Sequence, residues 1–444
     1  MAEPLPGARP AAARRATAPA RPAAARRSPP TTAPKAPRVA YVVSRFPKLS
    51  ETFVLYEILA VEEHGVEVEI YPLQRERAQT LHLEARRLVE RAHFTPLLSG
   101  EILRSHAHYL RRRPLVWLRT LYDLVRCNLG SPRYLGGALA FFPKAVHLAR
   151  RMAEDGVDHV HAHFASHPAA VAFVIHRLEG IPYSFTAHGS DLHRDQHMLR
   201  EKVAEARFVV PISEYNRRAI VDACAGEHAA KLEVIHCGID PEVFRPAPAQ
   251  GLRAADAPLR LVCVGTLHEV KGQGVLLEAC RRLAERGIAF GCDLVGEGPD
   301  HARLARQAEH AGIADRVRLH GACTREQVAA IVREADVAVV PSVPTRDGRR
   351  EGIPVALMEA AASGKPVVAS RLSGIPEAIE HAAQGLLFPP GDAEALAAAL
   401  EALASDPGLC ARLGAAARKR MLRDFDLRAN ARTLAARFAE GARS

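Results

Sequence analysis

The feature that most constrains the fold of this chain is an alternation between short β-branched runs and longer helical patterns, which begins at Arg38. Such alternation predicts βαβ units with parallel strands. A first set of strands is predicted at residues 39–43, 66–71, 159–163, 183–187 and 208–212. A second set is predicted at residues 260–264, 290–295, 317–319, 337–340, 366–369 and 386–388. We therefore expect an α/β protein with two doubly wound domains in tandem.

The boundaries of these domains follow from length and composition. A chain of 444 residues is longer than one hydrophobic core usually serves, so two domains are expected. The segment between the two strand sets is rich in Pro and Ala and lacks periodicity, which is typical of a linker. We predict an N-terminal domain over 38–245, a linker over 246–257 and a C-terminal domain over 258–425. A last helical segment, 426–444, has no strand after it.

Residues 1–37 form a segment of different composition. They carry seven basic residues against the single acid Glu3, so they supply +6 of the formal net charge of +10. The segment is rich in Ala and Pro and has no apolar block as long as that of a secretory leader. It is predicted to be a disordered basic arm. Contact with anionic lipid or nucleic acid is open to such an arm, but a solvated extension explains it equally, and we expect no nucleic-acid partner.

The sequence also bears on location. No stretch reaches the ~20 consecutive apolar residues that a membrane-spanning helix needs. The eight cysteines include no CxxC pair, which is typical of reduced, buried thiols. Residues 102–151 carry an apolar stripe with Trp117 among arginines, which suits an interfacial helix or an ordinary domain helix equally well. We expect a cytoplasmic protein, with the inner face of the membrane as a candidate peripheral partner.

The segment EGIPVALME places Glu351 and Glu359 around a helix start, with seven residues between them. Pro354 fits the first turn of a helix, where its missing N–H has no cost, and Gly352 allows close approach of a ligand to the backbone. The pattern predicts an anion site at a helix N-terminus. A carboxylate on the helix suits the two hydroxyls of a ribose, and one in the loop suits the hydroxyls of a sugar. Two solvated glutamates at a loop-to-helix junction remain the alternative.

Two further segments point to a phosphate ligand. LVCVGTLHEVKGQG reads as a strand, a turn with Gly265 and Thr266, and a helix entry with Lys271, a point charge suited to a diphosphate. DLVGEGP ends a strand in a glycine-rich turn at Gly298. The nicotinamide dinucleotide fingerprint is incomplete, because His301 stands where its third glycine belongs. A Walker-type phosphate loop is absent as well.

Together, these segments resemble those of a known family, the family-4 retaining glycosyltransferases of the GT-B fold. The C-terminal half matches in VGTLHEVKGQ, LVGEGP, EGIPVALME, GKPVVASRLSGIPEAI and GLLFPPGD. The N-terminal half matches in HVHAHFA, FTAHGSDL, VPISEYNRRAI and VIHCGIDPEVF. The start, SRFPKLSETFVLYEI, is most similar to members that assemble exopolysaccharides such as colanic acid or amylovoran. The resemblance covers residues 38–425.

The resemblance implies a fold and an activity. The fold is two Rossmann-like doubly wound domains facing across a cleft, with the last helix returning to the first domain. The activity is that of a retaining hexosyltransferase, which moves a sugar from a UDP- or GDP-linked donor to a growing polysaccharide or lipid-linked oligosaccharide. No metal or other cofactor is implied. A degenerate, non-enzymatic sugar-binding protein and an epimerase of the same fold remain alternatives.

The resemblance also implies roles by position. Glu351 and His188 would lie at the reaction centre. The following residues would bind the donor: Gly265, Thr266, Lys271, Gly298, Gly352, Ile353, Pro354 and Glu359. The acceptor side would include Ser50, Glu51 and Thr52.

Two features of the sequence need separate treatment. The family often has an arginine where Thr266 stands, so diphosphate binding here would depend on Lys271 and the helix N-terminus, or on another base such as Arg346, Arg349 or Arg350. His159, His161 and His163 alternate along one predicted strand, a spacing that a metal site also uses. No cysteine or carboxylate cluster accompanies them in the sequence, and we therefore expect no metal.

Overall fold

The computed structural model describes residues 1–2, 36–48, 51–76, 83–247, 253–254 and 256–442. Most of the predicted basic arm, Ser50 and much of the predicted linker lie outside these residues. The strands are β1 (Arg38–Phe46), β2 (Glu67–Arg75), β3 (His159–His163), β4 (Tyr183–Ala187), β5 (Phe208–Pro211), β6 (Leu259–Val264), β7 (Phe290–Val295), β8 (Val317–Leu319), β9 (Val337–Val340), β10 (Val367–Ser370) and β11 (Gly385–Phe388). Every predicted strand is confirmed, with ends that differ by at most four residues.

Helices connect the strands throughout. The first half contains α1 (Thr52–Glu63), α2 (Leu83–Glu90), α3 (Gly100–Arg112), α4 (Pro114–Arg126), α5 (Pro132–Glu154), α6 (His167–Glu179), α7 (Ser190–His193), α8 (Leu199–Glu205) and α9 (Glu214–Ala223). The second half contains α10 (Gln273–Glu285), α11 (His301–His310), α12 (Arg325–Glu334), α13 (Val355–Ala362), α14 (Ile375–Ala378), α15 (Ala393–Ser405), α16 (Pro407–Asp424) and α17 (Leu427–Ala442).

Two parallel sheets organise these elements. The five strands of the first sheet have the order β2-β1-β3-β4-β5, and the six strands of the second have the order β11-β10-β9-β6-β7-β8. Both orders reverse direction once, between β1 and β3 in the first sheet and between β6 and β9 in the second. In open parallel sheets such a switch point leaves a crevice at the carboxyl ends of the strands, where ligands bind. The predicted architecture of two doubly wound Rossmann-like domains is confirmed.

Burial of both sheet faces explains why these runs become strands. All four residues of β9 and all four of β10 are buried, as expected for parallel strands covered by helices on both sides. The helix α6 is buried along most of its length because it lies between the first sheet and α5. Each sheet has one apolar cluster on each face.

The chain crosses between the two sheets twice at one place. The backbone N–H of Ile239, on the outgoing segment, donates to the Phe425 carbonyl over 2.9 Å, and the Leu427 N–H donates to the Ile239 carbonyl over 3.0 Å. A Cβ on Gly238 would lie 2.3 Å from the Leu427 Cα, so only glycine allows this approach. The returning helix α17 then packs against α1, and its Phe438 is fully buried beside the first sheet.

The helices α3 and α4 bury only part of the apolar stripe. Trp117 is partly buried, because its Nε1 donates to His106 Nδ1 over 3.2 Å and its ring packs on Phe142. These contacts hold the ring against the protein and disfavour its insertion into a membrane. Leu115, Leu118 and Tyr122 on the same helix are instead 79%, 53% and 63% exposed. Among the described residues, no helix is both long and apolar enough to span a bilayer.

Candidate functional site

The predicted site residues converge on the two switch points. Gly265 directly follows β6, and Ser342 lies just beyond β9, so both stand at the crevice of the second sheet. His163 ends β3 and His188 follows β4 at the corresponding edge of the first sheet. Of these four residues, Gly265, His163 and His188 were singled out by the sequence analysis, whereas Ser342 was not.

Glu351 is held by two donors from neighbouring loops. The Lys271 Nζ donates to its Oε1, and the Ser342 hydroxyl donates to its Oε2. Lys271 lies in a single 3-10 turn that immediately precedes α10, which agrees with its predicted place at a helix entry. The Lys271 side chain is 24% exposed and that of Glu351 13% exposed, so the pair is partly shielded and still accessible from the cleft.

Glu359 is the fifth residue of α13 and has different surroundings. Its carboxyl group is partly buried, and burial raises its pKa to about 7, with Arg325 and Lys271 acting in the opposite direction. Within the described part of the chain, no protein group donates a hydrogen bond to this carboxylate. A buried carboxylate without a donor is unfavourable, and a ligand with hydroxyl donors would relieve it. Ile353 and Pro354 are buried immediately before the helix.

The two halves of the protein meet in a direct backbone contact. A Cβ on Gly352 would lie 2.3 Å from the His188 carbonyl oxygen, and a Cβ on Gly189 would lie 2.8 Å from the Gly352 nitrogen. Real Cβ atoms do not come this close to other atoms, so glycine is required at both positions. The loop that carries Glu351 therefore touches the loop that carries His188.

Hydrogen bonds from its own domain fix the His188 loop. The Asp191 carboxylate accepts from the backbone N–H groups of His188, Gly189 and Ala165, with a shortest distance of 2.7 Å. The His188 Nε2 lies 3.1 Å from His163 Nδ1, and burial lowers the pKa of His188 well below its usual value. Asp191 thus orients this loop.

The predicted acceptor-side loop lies beside His188. Glu51 is the N-cap of α1 and accepts a hydrogen bond of 2.6 Å from Lys48, and Thr52 begins the helix. The next residue, Phe53, brings its ring centroid to 4.7 Å from that of His188. Ser50, the third residue predicted for this side, lies outside the described residues.

Gly265, Gly298 and Thr266 have different surroundings in the second crevice. Gly265 has a positive φ of 153° and stands against the Lys271 side chain, where a Cβ would be 3.3 Å from its Cδ. Gly298 lies against the Leu267 carbonyl, so its missing side chain leaves room for another loop of the protein. Thr266 is exposed at the crevice. His268 lies on the same loop as Thr266, and its Nε2 is 3.4 Å from Arg349 Nη1. The Arg349 Nε is buried and has no hydrogen-bond partner.

The three alternating histidines of β3 are all buried. Glu57, His161 and His163 bring potential metal-ligand atoms within 4.8 Å of one another. Both ring nitrogens of His161 already bond to hydroxyls, Ser184 at 2.8 Å and Thr186 at 3.0 Å. A metal ion would have to break these bonds, so the surroundings favour a hydrogen-bonded cluster.

Comparison with known proteins agrees with this geometry. Residues 50–243 match Glycosyltransferase Family 4, and residues 247–420 match Glycosyl transferases group 1. The amylovoran biosynthesis glycosyltransferase AmsK of Erwinia amylovora is 33% identical over 82% of this chain and 89% of its own length. The chain belongs to the family-4 glycosyltransferases. A second member, the putative colanic acid biosynthesis glycosyltransferase WcaL of Escherichia coli, is 34% identical over 90% of this chain and 98% of its own length.

Solved structures show the same fold. The Anabaena protein HepE, in a complex with UDP, has a TM-score of 0.67 and 16% identity over 91% of this chain and all of its own. Sucrose-phosphate synthase of Thermosynechococcus elongatus has a TM-score of 0.66 and 19% identity over 91% of this chain and 98% of its own. The fold of this family-4 glycosyltransferase is thus GT-B, as expected.

The structure also adds residues that the sequence analysis did not assign. Arg325, at the start of α12, stacks on the Tyr56 ring of the first domain at 3.7 Å and lies 3.7 Å from Asp240. Ser342 and Glu57 were missed as well. Ser342 could have been found from its place after a strand at the switch point, whereas nothing local marks Arg325 or Glu57.

Proposed function

We propose that this glycosyltransferase is a retaining hexosyltransferase that uses a UDP- or GDP-linked sugar and extends a polysaccharide or a lipid-linked oligosaccharide. The observation that carries the proposal is the backbone contact between Gly352 and His188, which joins the crevices of both sheets. In this proposal, residues 38–245 with the last helix, 426–444, form the acceptor-side domain. Residues 246–257 are the linker, and residues 258–425 form the donor-side domain.

The donor would lie along the second crevice. Glu359 would accept hydrogen bonds from the ribose hydroxyls, which its unpartnered, partly buried carboxylate supports. Lys271, Gly265 and the amides at the start of α13 would face the diphosphate. Glu351 would contact the sugar, with Lys271 and Ser342 orienting its carboxylate. Several solved neighbours carry UDP or UDP-glucose, which supports a nucleotide-sugar of this kind.

Charge on the leaving group would be the main catalytic problem. As the bond between the sugar and the diphosphate breaks, negative charge develops on the phosphate oxygens, and preorganised donors stabilise it. Lys271 supplies one such charge. The acceptor hydroxyl would attack from the same face and pass its proton to the departing phosphate oxygen, so the new bond keeps the configuration of the old one.

Arg349 would compensate for Thr266. Its guanidinium lies against His268, two residues from Thr266, and its buried Nε has no partner. A cation at this position faces the loop from which the family arginine would extend. The charge on the diphosphate would thus be met by Lys271 and Arg349 together.

A screen of nucleotide-sugars tests the proposal. We expect calorimetry to detect one nucleoside diphosphate, and the matching nucleotide-sugar to be hydrolysed slowly without acceptor. At pH 8, where a carboxyl group with a pKa of about 7 is mostly ionised, Glu359→Ala should weaken nucleotide binding by about 1.5–3 kcal/mol. Wild-type affinity should fall below pH 7 as Glu359 takes up a proton, whereas the affinity of the variant should change less.

The matched control is Glu309→Ala, on the exposed face of α11, which should bind like wild type. Unchanged affinity of Glu359→Ala for every nucleotide would contradict the ribose assignment. Binding without any turnover would favour the degenerate sugar-binding protein, and an isomerised donor sugar would favour the epimerase.

The exposed face of α4 supports a membrane-bound acceptor. Leu115, Leu118 and Tyr122 point outward beside the exposed Arg111 and Arg119. Each basic residue near an anionic bilayer contributes about 1 kcal/mol, and apolar side chains add to binding by insertion. The protein would then work on the cytoplasmic face of the membrane.

Vesicle sedimentation checks this expectation. Binding should rise with the fraction of phosphatidylglycerol and fall with salt. The combined change of Arg111, Arg112 and Arg119 to glutamine should weaken it about tenfold or more. Arg113 is left intact because it donates to the Leu178 carbonyl. A control with Arg306, Arg318 and Lys419 changed to glutamine removes the same charge from the second domain. Equal loss in both variants, or no binding at low salt, would contradict a membrane role for α4.

A further inference from the structure

A chain of three side chains leads from α1 to the candidate reaction centre. The Glu57 Oε1 lies 3.0 Å from His163 Nε2, and His163 Nδ1 lies 3.1 Å from His188 Nε2. The three residues come from α1, the end of β3 and the loop after β4. They connect three of the motifs that carry the family resemblance, YEI, HAHF and AHGS.

The hydrogen-bonding capacity of each group determines where the protons sit. An ionised carboxylate only accepts, so His163 Nε2 must donate to Glu57. A neutral His163 then has only a lone pair on Nδ1, and His188 must donate from its Nε2. The Nδ1 of His188 therefore keeps its lone pair. The Cys237 thiol lies 3.8 Å from this nitrogen and is able to donate to it.

Burial favours the neutral state of His188. His163 and the neighbouring His161 are fully buried, and His188 is 8% exposed. Burial lowers the pKa of His188 well below its usual value, because a charged ring loses its hydration there. The titratable groups that face the pair are Tyr41 from β1, Glu57 from α1, His161 from β3, Asp191 from α7 and Cys237.

We propose that Glu57 and His163 are positioning residues that hold His188 as a neutral imidazole with its proton on Nε2. This inference rests on the proposed function, in which His188 lies beside the sugar. The sugar carbon gains positive charge as its bond to phosphate breaks, and a neutral ring adds no opposing positive charge. The same two bonds fix the ring, and with it the backbone carbonyl that contacts Gly352.

The other contact of Glu57 does not account for the hydrogen bonds that join Glu57, His163 and His188. Tyr41 also donates to Glu57 Oε1, over 3.2 Å, but its hydroxyl does not reach the reaction centre. The Glu57 carboxylate accepts the hydrogen bond from His163 Nε2. Among the described residues, His163 is the hydrogen-bond partner of His188 Nε2. Glu57 thus acts on His188 only through His163.

Variants of Glu57 give a kinetic test with hydrolysis of UDP-glucose or GDP-mannose, whichever the screen shows to be cleaved. Glu57→Gln keeps the shape but removes the charge, and its amide is free to donate to His163, which reverses the proton arrangement. We expect kcat to fall about 10- to 100-fold with KM and nucleotide affinity unchanged. The control His159→Gln changes an equally buried histidine of the same strand that lies outside the chain of bonds, and it should keep its kcat.

A double-mutant cycle separates positioning from general damage. If Glu57 acts through His188, Glu57→Gln should cost little more in a His188→Ala background than His188→Ala alone. Multiplied losses, or equal losses of kcat in Glu57→Gln and His159→Gln, would overturn the proposal.

The closing experiment needs no donor, so it fails independently of the proposed function. Nitrogen-15 labelling of the histidines in the full chain, read by long-range proton–nitrogen correlation, reports the protonated nitrogen of each ring. The spectra of His163→Gln and His188→Gln assign the two signals. We expect His163 and His188 each to carry a proton on Nε2, with His188 neutral from pH 8 to pH 5.5, and the His188 signals to shift in Glu57→Gln but not in His159→Gln. A proton on Nδ1 of His188, or a doubly protonated His163, would overturn the proposal.

Discussion

Glu351→Gln is expected to lower turnover by about 100-fold or more while nucleoside diphosphate binding stays intact. The carboxylate would contact the sugar, where charge changes most during the reaction, and loss of one preorganised charged partner has effects of this size. The substitution also releases Lys271 from its ion pair, so its ammonium group becomes fully available to a diphosphate. We therefore expect nucleotide affinity to stay the same or to increase.

Lys271→Ala should show the opposite pattern, with nucleotide binding and turnover lost together. Calorimetry with nucleoside diphosphates and steady-state hydrolysis of the nucleotide-sugar measure both variants. Glu269→Gln is the matched control, because this exposed glutamate lies in the same turn as Lys271. If Glu351→Gln lost nucleotide binding in proportion to turnover, Glu351 would belong to the nucleotide site and its proposed role would be wrong.

Gly352→Ala is expected to reduce turnover by about 100-fold or more with only a moderate effect on folding. The new methyl group would lie 2.3 Å from the His188 carbonyl oxygen, so the two loops must separate. A shift of about 1 Å at a reaction centre is enough for a loss of this size. Strain of this kind usually lowers the free energy of unfolding by about 1–3 kcal/mol.

Urea unfolding and hydrolysis kinetics together test this expectation. Gly291→Ala is the control, since a Cβ on this residue of β7 meets no atom within 4 Å. It should leave both measurements close to wild type. Full activity of Gly352→Ala would mean that the active form keeps the two loops apart, and the site would then be assembled in another domain arrangement.

Much of the fold was accessible from the sequence because its signals are local. Apolar runs such as those of β9 and β10 encode buried parallel strands, and the eleven strands lie where the pattern predicted them. Pro354 marks a helix start, so the placement of Glu351 before α13 and of Glu359 within it was predictable. The position of Lys271 at the entry of α10 was predictable from a local pattern in the same way.

The tertiary structure decided what depends on residues far apart in the chain. The pairing of Gly352 with His188, the chain from Glu57 to His188 and the stacking of Arg325 on Tyr56 all join separate motifs. Trp117 shows the same limit, because a helical stripe predicts an apolar face but not which of its members is covered by Phe142. Periodicity and turn chemistry act over a few residues and are written in the sequence. Contacts across the cleft arise only when the packing of two sheets brings distant loops together.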